Sequence, residues 1–315
     1  MPVTLSQALQ NTTDAVDMAV INEFRTSTLL DRITFDDVVN PAGGGATLTY
    51  TYRRQASLGT AAFRALNAEY QPTETTTTKH STDLKVLGGS YQIDRVIGKI
   101  GSTATNEVSR QMADKVEATK AEFANAVING DSAVTADSFD GLKKALAGST
   151  TENTTLVDWS QPMSVDASFG VLDALDELIA AMDGEPTLLI SNRAALAKIK
   201  AAARRASMYV EKPGPRETTI ASYGNVVLFD AGKAAGPSNA DIIPVTAGVT
   251  QIYAVRMGLD GFHGVSTVGG QLIQQWMPDF TKAGAVKTGE VEMGPVGVVL
   301  KKTKAAAVLT NVKVR

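Results

Sequence analysis

A chain of 315 residues with 43% hydrophobic content can bury a sizeable core, as one elaborate domain or two. Its 30 basic and 33 acidic residues leave a net charge of -3, which provides no basic field for phosphates and argues against tight, sequence-specific nucleic-acid binding. Without cysteine the chain has no disulfide, thiolate metal site or cysteine nucleophile, and apolar runs such as Val296 to Leu300 are too short to span a membrane.

Met1-Pro2-Val3-Thr4 does not read as an export signal. Residues 1–46 hold a short helical pattern, a stretch around Phe24 to Phe35 and the glycines Gly43-Gly44-Gly45, which follow Pro41 and precede a strand. Glycines that open no helix lack the dipole and amides of a phosphate loop, so this segment reads as an arm with a hinge. Leu48 to Arg54 alternates as a strand does, and Thr82 to Ile93 is a second extended candidate, together predicting a long two-stranded excursion. Between them Phe63 to Lys79, with the threonine run Thr75 to Thr78, has little of its own to pack against. A loop of this length in a folded domain is expected to touch a neighbour.

A long amphipathic helix follows, over about 103–129. Val108, Met112, Val116, Phe123 and Val127 fall on one face, and roughly 25 residues would span about 37 Å. Ser102 or Thr103 can cap it, and Gly130 sits where a left-handed residue usually ends a helix. Asn129-Gly130-Asp131 and, beyond it, Gly141 read as a structural turn. Helix and strand signals then alternate. Phe169, Leu172, Leu175, Ile179 and Met182 mark one helix, Thr187 to Ile190 a buried strand, and Ser191 or Asn192 caps a second helix from Arg193 to Ala206. Pro213-Gly214-Pro215 breaks the chain, and Asn225 to Phe229 and Gln251 to Arg256 are further strands. The last third, with strands near Leu272 to Trp276, Val286 to Met293, Val296 to Lys301 and Ala306 to Val312, needs a helix to cover it, and the long helix is assigned to that role.

Catalytic signatures are nearly absent. His80 and His263 are each isolated, so neither zinc-ligand spacing nor a His-x-Glu arrangement occurs. Ser266 does not make a Gly-x-Ser-x-Gly elbow and reads as part of a glycine-rich strand connection. Asp36-Asp37 and Asp173 with Asp176 and Glu177 read as exposed charges. No cofactor and no metal are expected, and the chain is not expected to be an enzyme.

The order of these parts resembles the tailed-phage major capsid proteins of the Hong Kong 97 type, whose fold encapsulins share. The resemblance covers nearly the whole chain and rests on Glu122, Asn129-Gly130-Asp131 and Gly141-Leu142. Leu189-Ile190-Ser191-Asn192 leading into Arg193 to Arg205, and Thr219 to Phe229 with Gly224-Asn225-Val226-Val227, support it. It implies an α+β phage capsid fold with an N-terminal arm (1–46) and an extended β E-loop (47–91). A peripheral domain (92–155 and 276–315) carries the spine helix and a β-sheet, and an axial α/β domain takes 156–275. The implied role is a structural subunit that self-assembles into hexamers and pentamers of an icosahedral shell around double-stranded DNA, located in the virion and assembled in the host cytoplasm.

The implied partners are further copies of itself, a portal protein, a separate scaffolding protein, optionally a decoration protein, and packaged DNA by weak non-specific contact, with no membrane. E-loop candidates for contact between subunits are Tyr50, Tyr52, Phe63, Leu66 and Tyr70 as apolar anchors and Arg53, Arg54, Arg64 and Glu69 as ion-pair formers. Some relatives cross-link an E-loop lysine to an asparagine of the closing strands. Lys79 and Lys85 could donate here, but no asparagine occurs between Asn239 and Asn311, so a non-covalent shell is expected. The alternatives are an encapsulin-like compartment and a soluble α/β enzyme without a recognisable motif.

Overall fold

The computed structural model describes residues 28–36, 47–97, 107–162, 164–207, 209–213, 219–267 and 272–315. The glycine hinge, the caps Ser102 and Thr103, and most of the arm and of the Pro213-Gly214-Pro215 break lie outside them. A 3-10 turn at Leu29–Arg32 precedes β1 (Phe35–Asp36), β2 (Thr49–Gln55), β3 (Thr77–Asp83) and β4 (Lys85–Asp94). Next come α1 (Glu107–Asn129), α2 (Leu142–Leu146), β5 (Glu152–Asn153), β6 (Val157–Asp158), α3 (Val165–Ala180), β7 (Leu188–Ser191) and α4 (Arg193–Arg205). β8 (Tyr209–Pro213), β9 (Thr219–Tyr223), β10 (Val226–Asp230), β11 (Val249–Val255), β12 (Phe262–Ser266), β13 (Ile273–Trp276), β14 (Val286–Leu300) and β15 (Ala306–Lys313) complete the chain.

These strands form an eight-stranded sheet in the order β5-β15-β11-β7-β10-β9-β8, with β6 also on β15. A five-stranded sheet runs β1-β12-β14-β13, with β4 also on β14, and β2 and β3 form a separate ribbon. The eight-stranded sheet is apolar on both faces because its central strands alternate between two cores. Leu189, Ile252, Ala254, Ala307 and Leu309 point towards α3 and α4, joining Leu172, Leu175, Leu178, Leu196 and Ile199. Ile190, Tyr253, Val255, Ala306 and Val308 point the other way, to a core that contains Phe123, Val127 and Ile128 of α1 and Met293, Val296 and Val298 of β14.

The long helix therefore lies over both sheets. Its stripe serves two clusters: Val108 and Met112 pack with Tyr91, Ile93 and Phe280, while Phe123 and Val127 enter the main core. Val116, between them, is half-buried and faces an open groove with Leu30, Phe35 and Ile273. Burial of Phe123, at 0% exposure, contributes about 1.5–3 kcal/mol. In α3, Ser164 accepts from the Ala167 amide as expected of a helix cap, but Phe169 is 50% exposed and Val171 takes its place in the core.

The sheets do not divide at Trp276, where the resemblance implied the change from axial to peripheral domain. β15 pairs antiparallel with β11 and lies inside the eight-stranded sheet, while its Ala306 and Val308 pack in the core that the long helix covers, as expected. β12, expected in the axial part, pairs with the second half of β14 in the five-stranded sheet. The physical reason is that β14 is one 15-residue strand. Its first half lies between β4 and β13, a register shift between Met293 and Val296 re-aims it, and its second half takes β12.

Candidate assembly surface

The predicted two-stranded excursion is present, with a different second strand. β2 pairs with β3 from Thr49↔Asp83 to Gln55↔Thr77, so the threonine run read as loop supplies the partner. β-branched threonine suits an extended ribbon. The Thr82 to Ile93 segment breaks at buried Leu84, and its longer part leaves the ribbon as β4 to pair with β14.

Period-2 alternation sends Tyr50, Tyr52 and Arg54 to one face of β2, and that face lies on the body of the same chain. The Tyr52 hydroxyl donates to the Leu300 carbonyl (3.3 Å), and the Arg54 guanidinium donates to the carbonyls of Lys301 (2.9 Å) and Leu300 (2.5 Å). Both tyrosine rings pack against Leu84, Val265 and Val299. Lys301 Nζ and the Arg54 guanidinium sit 5.5 Å from the ring centroids of Tyr50 and Tyr52, and His80 stacks on Tyr52 at 5.5 Å. Burial pushes the Tyr52 hydroxyl pKa up. Three residues expected to reach a neighbour thus hold the root of the ribbon to their own chain.

Past the ribbon the excursion is held by side chains as much as by backbone. Ser57 Oγ and Thr76 Oγ1 are 2.7 Å apart, Thr60 N donates to Thr73 Oγ1 (2.9 Å), and Gly59 N donates to Thr75 Oγ1 (3.3 Å). At the tip Arg64 donates to the carbonyls of Ala65 (3.2 Å) and Ala68 (3.3 Å) and covers the Tyr70 ring. Leu58, Phe63, Leu66 and Tyr70 are 79%, 107%, 92% and 63% exposed. An array this apolar on one projection is unusual for a surface that faces only water. Arg53 is exposed and lies opposite Lys79, and neither Arg53, Arg64 nor Glu69 makes an ion pair among the described residues. Like charges opposite one another are mildly unfavourable, which leaves this face suited to an outside carboxylate.

The end of α1 differs from expectation. Gly130 is not left-handed; its amide donates to Ala126 O (2.8 Å), continuing the helix pattern. Glycine is required because a Cβ would stand 2.3 Å from Phe139 O and 2.5 Å from Ala126 O, and at Gly141 it would stand 2.5 Å from the same Ala126 oxygen. The two glycines let the returning loop lie flat on the helix, joined by Gly141 N to Gly130 O (2.9 Å). Asn129 donates to Ile242 O (2.7 Å) and Lys144 to Asp131 (2.6 Å), and the lysine holds the Asp131 carboxyl below its ordinary range. Lys85, weighed as a cross-linking donor, donates instead to Ala136 O (2.8 Å) in this loop. Lys79 stays exposed on the ribbon, and Asn311 donates to Thr154 O (2.8 Å) beside the eight-stranded sheet. Among the described residues no cluster of potential metal ligands occurs, and no helix is long and apolar enough to cross a membrane.

Solved structures carry the same architecture at full length. The chain superposes on the encapsulin in the holo-SrpI complex of Synechococcus elongatus PCC 7942 with a TM-score of 0.65 and 16% identity, covering 98% of this chain and 95% of that one. The capsid of Myoviridae phage XM1 gives a TM-score of 0.65 and 13% identity over 98% and 99% of the two chains. The chain has the Hong Kong 97-type capsid fold. The capsid of the native GTA particle is also similar, at a TM-score of 0.60 and 13% identity over 96% and 94%. No family model and no curated protein sequence matches the chain. In this capsid fold the ribbon is the E-loop and α1 the spine helix.

Proposed function

We propose that this chain is a major capsid protein, a structural subunit that self-assembles into the hexamers and pentamers of an icosahedral shell around the double-stranded DNA of a tailed phage. The observation that carries the reading is the exposed apolar tip, Leu58, Phe63 and Leu66, on a ribbon whose root is fixed to the body of a capsid-fold chain. Such a tip gains by covering a second copy, and burying it contributes more than the exposed ion pairs of Arg53, Arg64 or Glu69, which are worth about 0.2–1 kcal/mol each. A net charge of -3 suits a container that must hold DNA without gripping it. The subunit would sit in the virion capsid after assembly in the host cytoplasm, with a portal protein, a separate scaffolding protein and optionally a decoration protein as partners, and would carry out no catalysis.

An encapsulin-like compartment is the second reading, favoured by the likeness to the encapsulin. Electron microscopy of the expressed chain, with assay of nuclease-protected nucleic acid in virions or particles from the native host, tests both. Closed shells with protected double-stranded DNA support the capsid reading, closed shells with protein cargo and no DNA support the compartment, and a chain that stays monomeric both alone and in its native host overturns both.

A further inference from the structure

His263 lies on β12 directly under the ribbon root. It is 0% exposed, and neither ring nitrogen makes a hydrogen bond of good geometry, although the Gly261 backbone lies close to the ring. The Tyr50 ring stands edge-on to it at 6.1 Å, and Tyr50 and Tyr52 seat the ribbon on Leu84, Val265 and Val299 around this point. An orphaned imidazole is a costly way to fill such a space, since phenylalanine or leucine would bury similar area without unsatisfied nitrogens. Histidine is also the side chain whose ordinary pKa lies closest to neutrality.

The charges around it come from every element packed there among the described residues. The ribbon brings Tyr50, Tyr52, Arg54 and His80, β1 brings Asp36, the turn before β12 brings Asp260, and the end of β14 brings Lys301. Lys301 Nζ is 4.0 Å from Asp36 Oδ2, and the Tyr50 hydroxyl donates to the same oxygen at 3.4 Å. Burial, then the Lys301 ammonium, lower the His263 pKa, outweighing Asp36, the Gly261 backbone and Asp260, which favour the charged ring.

We propose that His263 is an acid-sensitive latch: a proton taken from solvent onto its ring cannot be accommodated beneath the seated tyrosines, so the β2–β3 root lifts from β12 and β14. This goes beyond the shell reading and does not depend on it, because latch and root belong to one chain. With the root lifted, the ring returns to its ordinary pKa of about 6.5. The seated form, whose pKa is lower, binds fewer protons. Its stability is therefore full above that value and falls with pH, the opening ratio rising about tenfold per pH unit until the seated-state pKa is reached.

Hydrogen–deuterium exchange on the full chain in one association state, corrected for intrinsic pH dependence, tests this between pH 7.5 and 5.5. Amides of 49–55 and 77–83 are expected to lose up to about tenfold protection in the wild type and in His80→Gln, but not in His263→Phe. Equal loss in His263→Phe, or none in the wild type, overturns the latch. Should His263→Phe fail to fold, ring-carbon NMR of wild-type His263 decides. A midpoint that coincides with ribbon opening supports it, whereas a ring that titrates while the ribbon stays protected, or a ribbon that opens without titration of the ring, overturns it.

Discussion

Single atoms decide whether the loop after α1 can close. At Gly130 a methyl group would meet two backbone oxygens at 2.3 and 2.5 Å, and backbone cannot step aside as a side chain can. Gly130→Ala is expected to destabilise the subunit by about 1–3 kcal/mol, read as a lower urea midpoint with an unchanged slope. Asn192 is a second such position. It caps α4 by accepting from the Ala195 amide (3.0 Å) and donates to Ile243 O (2.9 Å) and Thr250 Oγ1 (2.6 Å), all while 3% exposed. Asn192→Ala removes the cap and strands a buried carbonyl, so a loss of about 2–3 kcal/mol is expected in the same measurement. The cap could be read from sequence because Asn before an apolar-periodic run has a local cause. The reason for Gly130 could not, since it depends on Phe139 folding back nine residues later.

Among elements, the ribbon divides into a root and a tip with separate duties. Leu58→Ser, Phe63→Ser and Leu66→Ser combined should leave the midpoint of thermal unfolding of the isolated subunit within about 2 °C, because none of the three is buried, yet prevent particle formation on native gels and by light scattering. Assembly undiminished in that variant removes the tip from the shell contact. Arg54→Ala should instead speed exchange of the β2 and β3 amides several-fold, since two carbonyls lose their donor. Period-2 alternation made the ribbon legible, and it put Tyr50, Tyr52 and Arg54 on a common face. It could not say what that face met, because contact with Leu300 and Lys301 spans almost 250 residues of chain. The order of elements was legible for the same local reasons. The exchange of β12 and β15 between sheets was not, since an apolar strand fits either sheet until its register partner is known.

At the scale of the whole molecule the α+β capsid fold emerged from the order of parts, although identity to the similar solved structures is only 13–16%. Order survives because each element answers to the core it covers: a spine helix, two sheets, and α3 and α4 outside. The closing strands carry no asparagine acceptor before Asn311, and Lys85 is engaged with Ala136 O. Boiled, denatured particles are therefore expected to run as one band near 33.1 kDa, and a ladder of higher oligomers would refute the non-covalent shell.

The placement of β15 also sets a clock. This strand is near the C-terminal end in sequence but interior in the eight-stranded sheet, hydrogen-bonded to β11 on one side and to β5 and β6 on the other. During synthesis the residues of β11 and β7 emerge well before it, yet the sheet they belong to has a gap until Ala306–Lys313 has cleared the ribosome. A chain that stops before Ala306 therefore leaves β5, β6 and one edge of β11 without their partner strand.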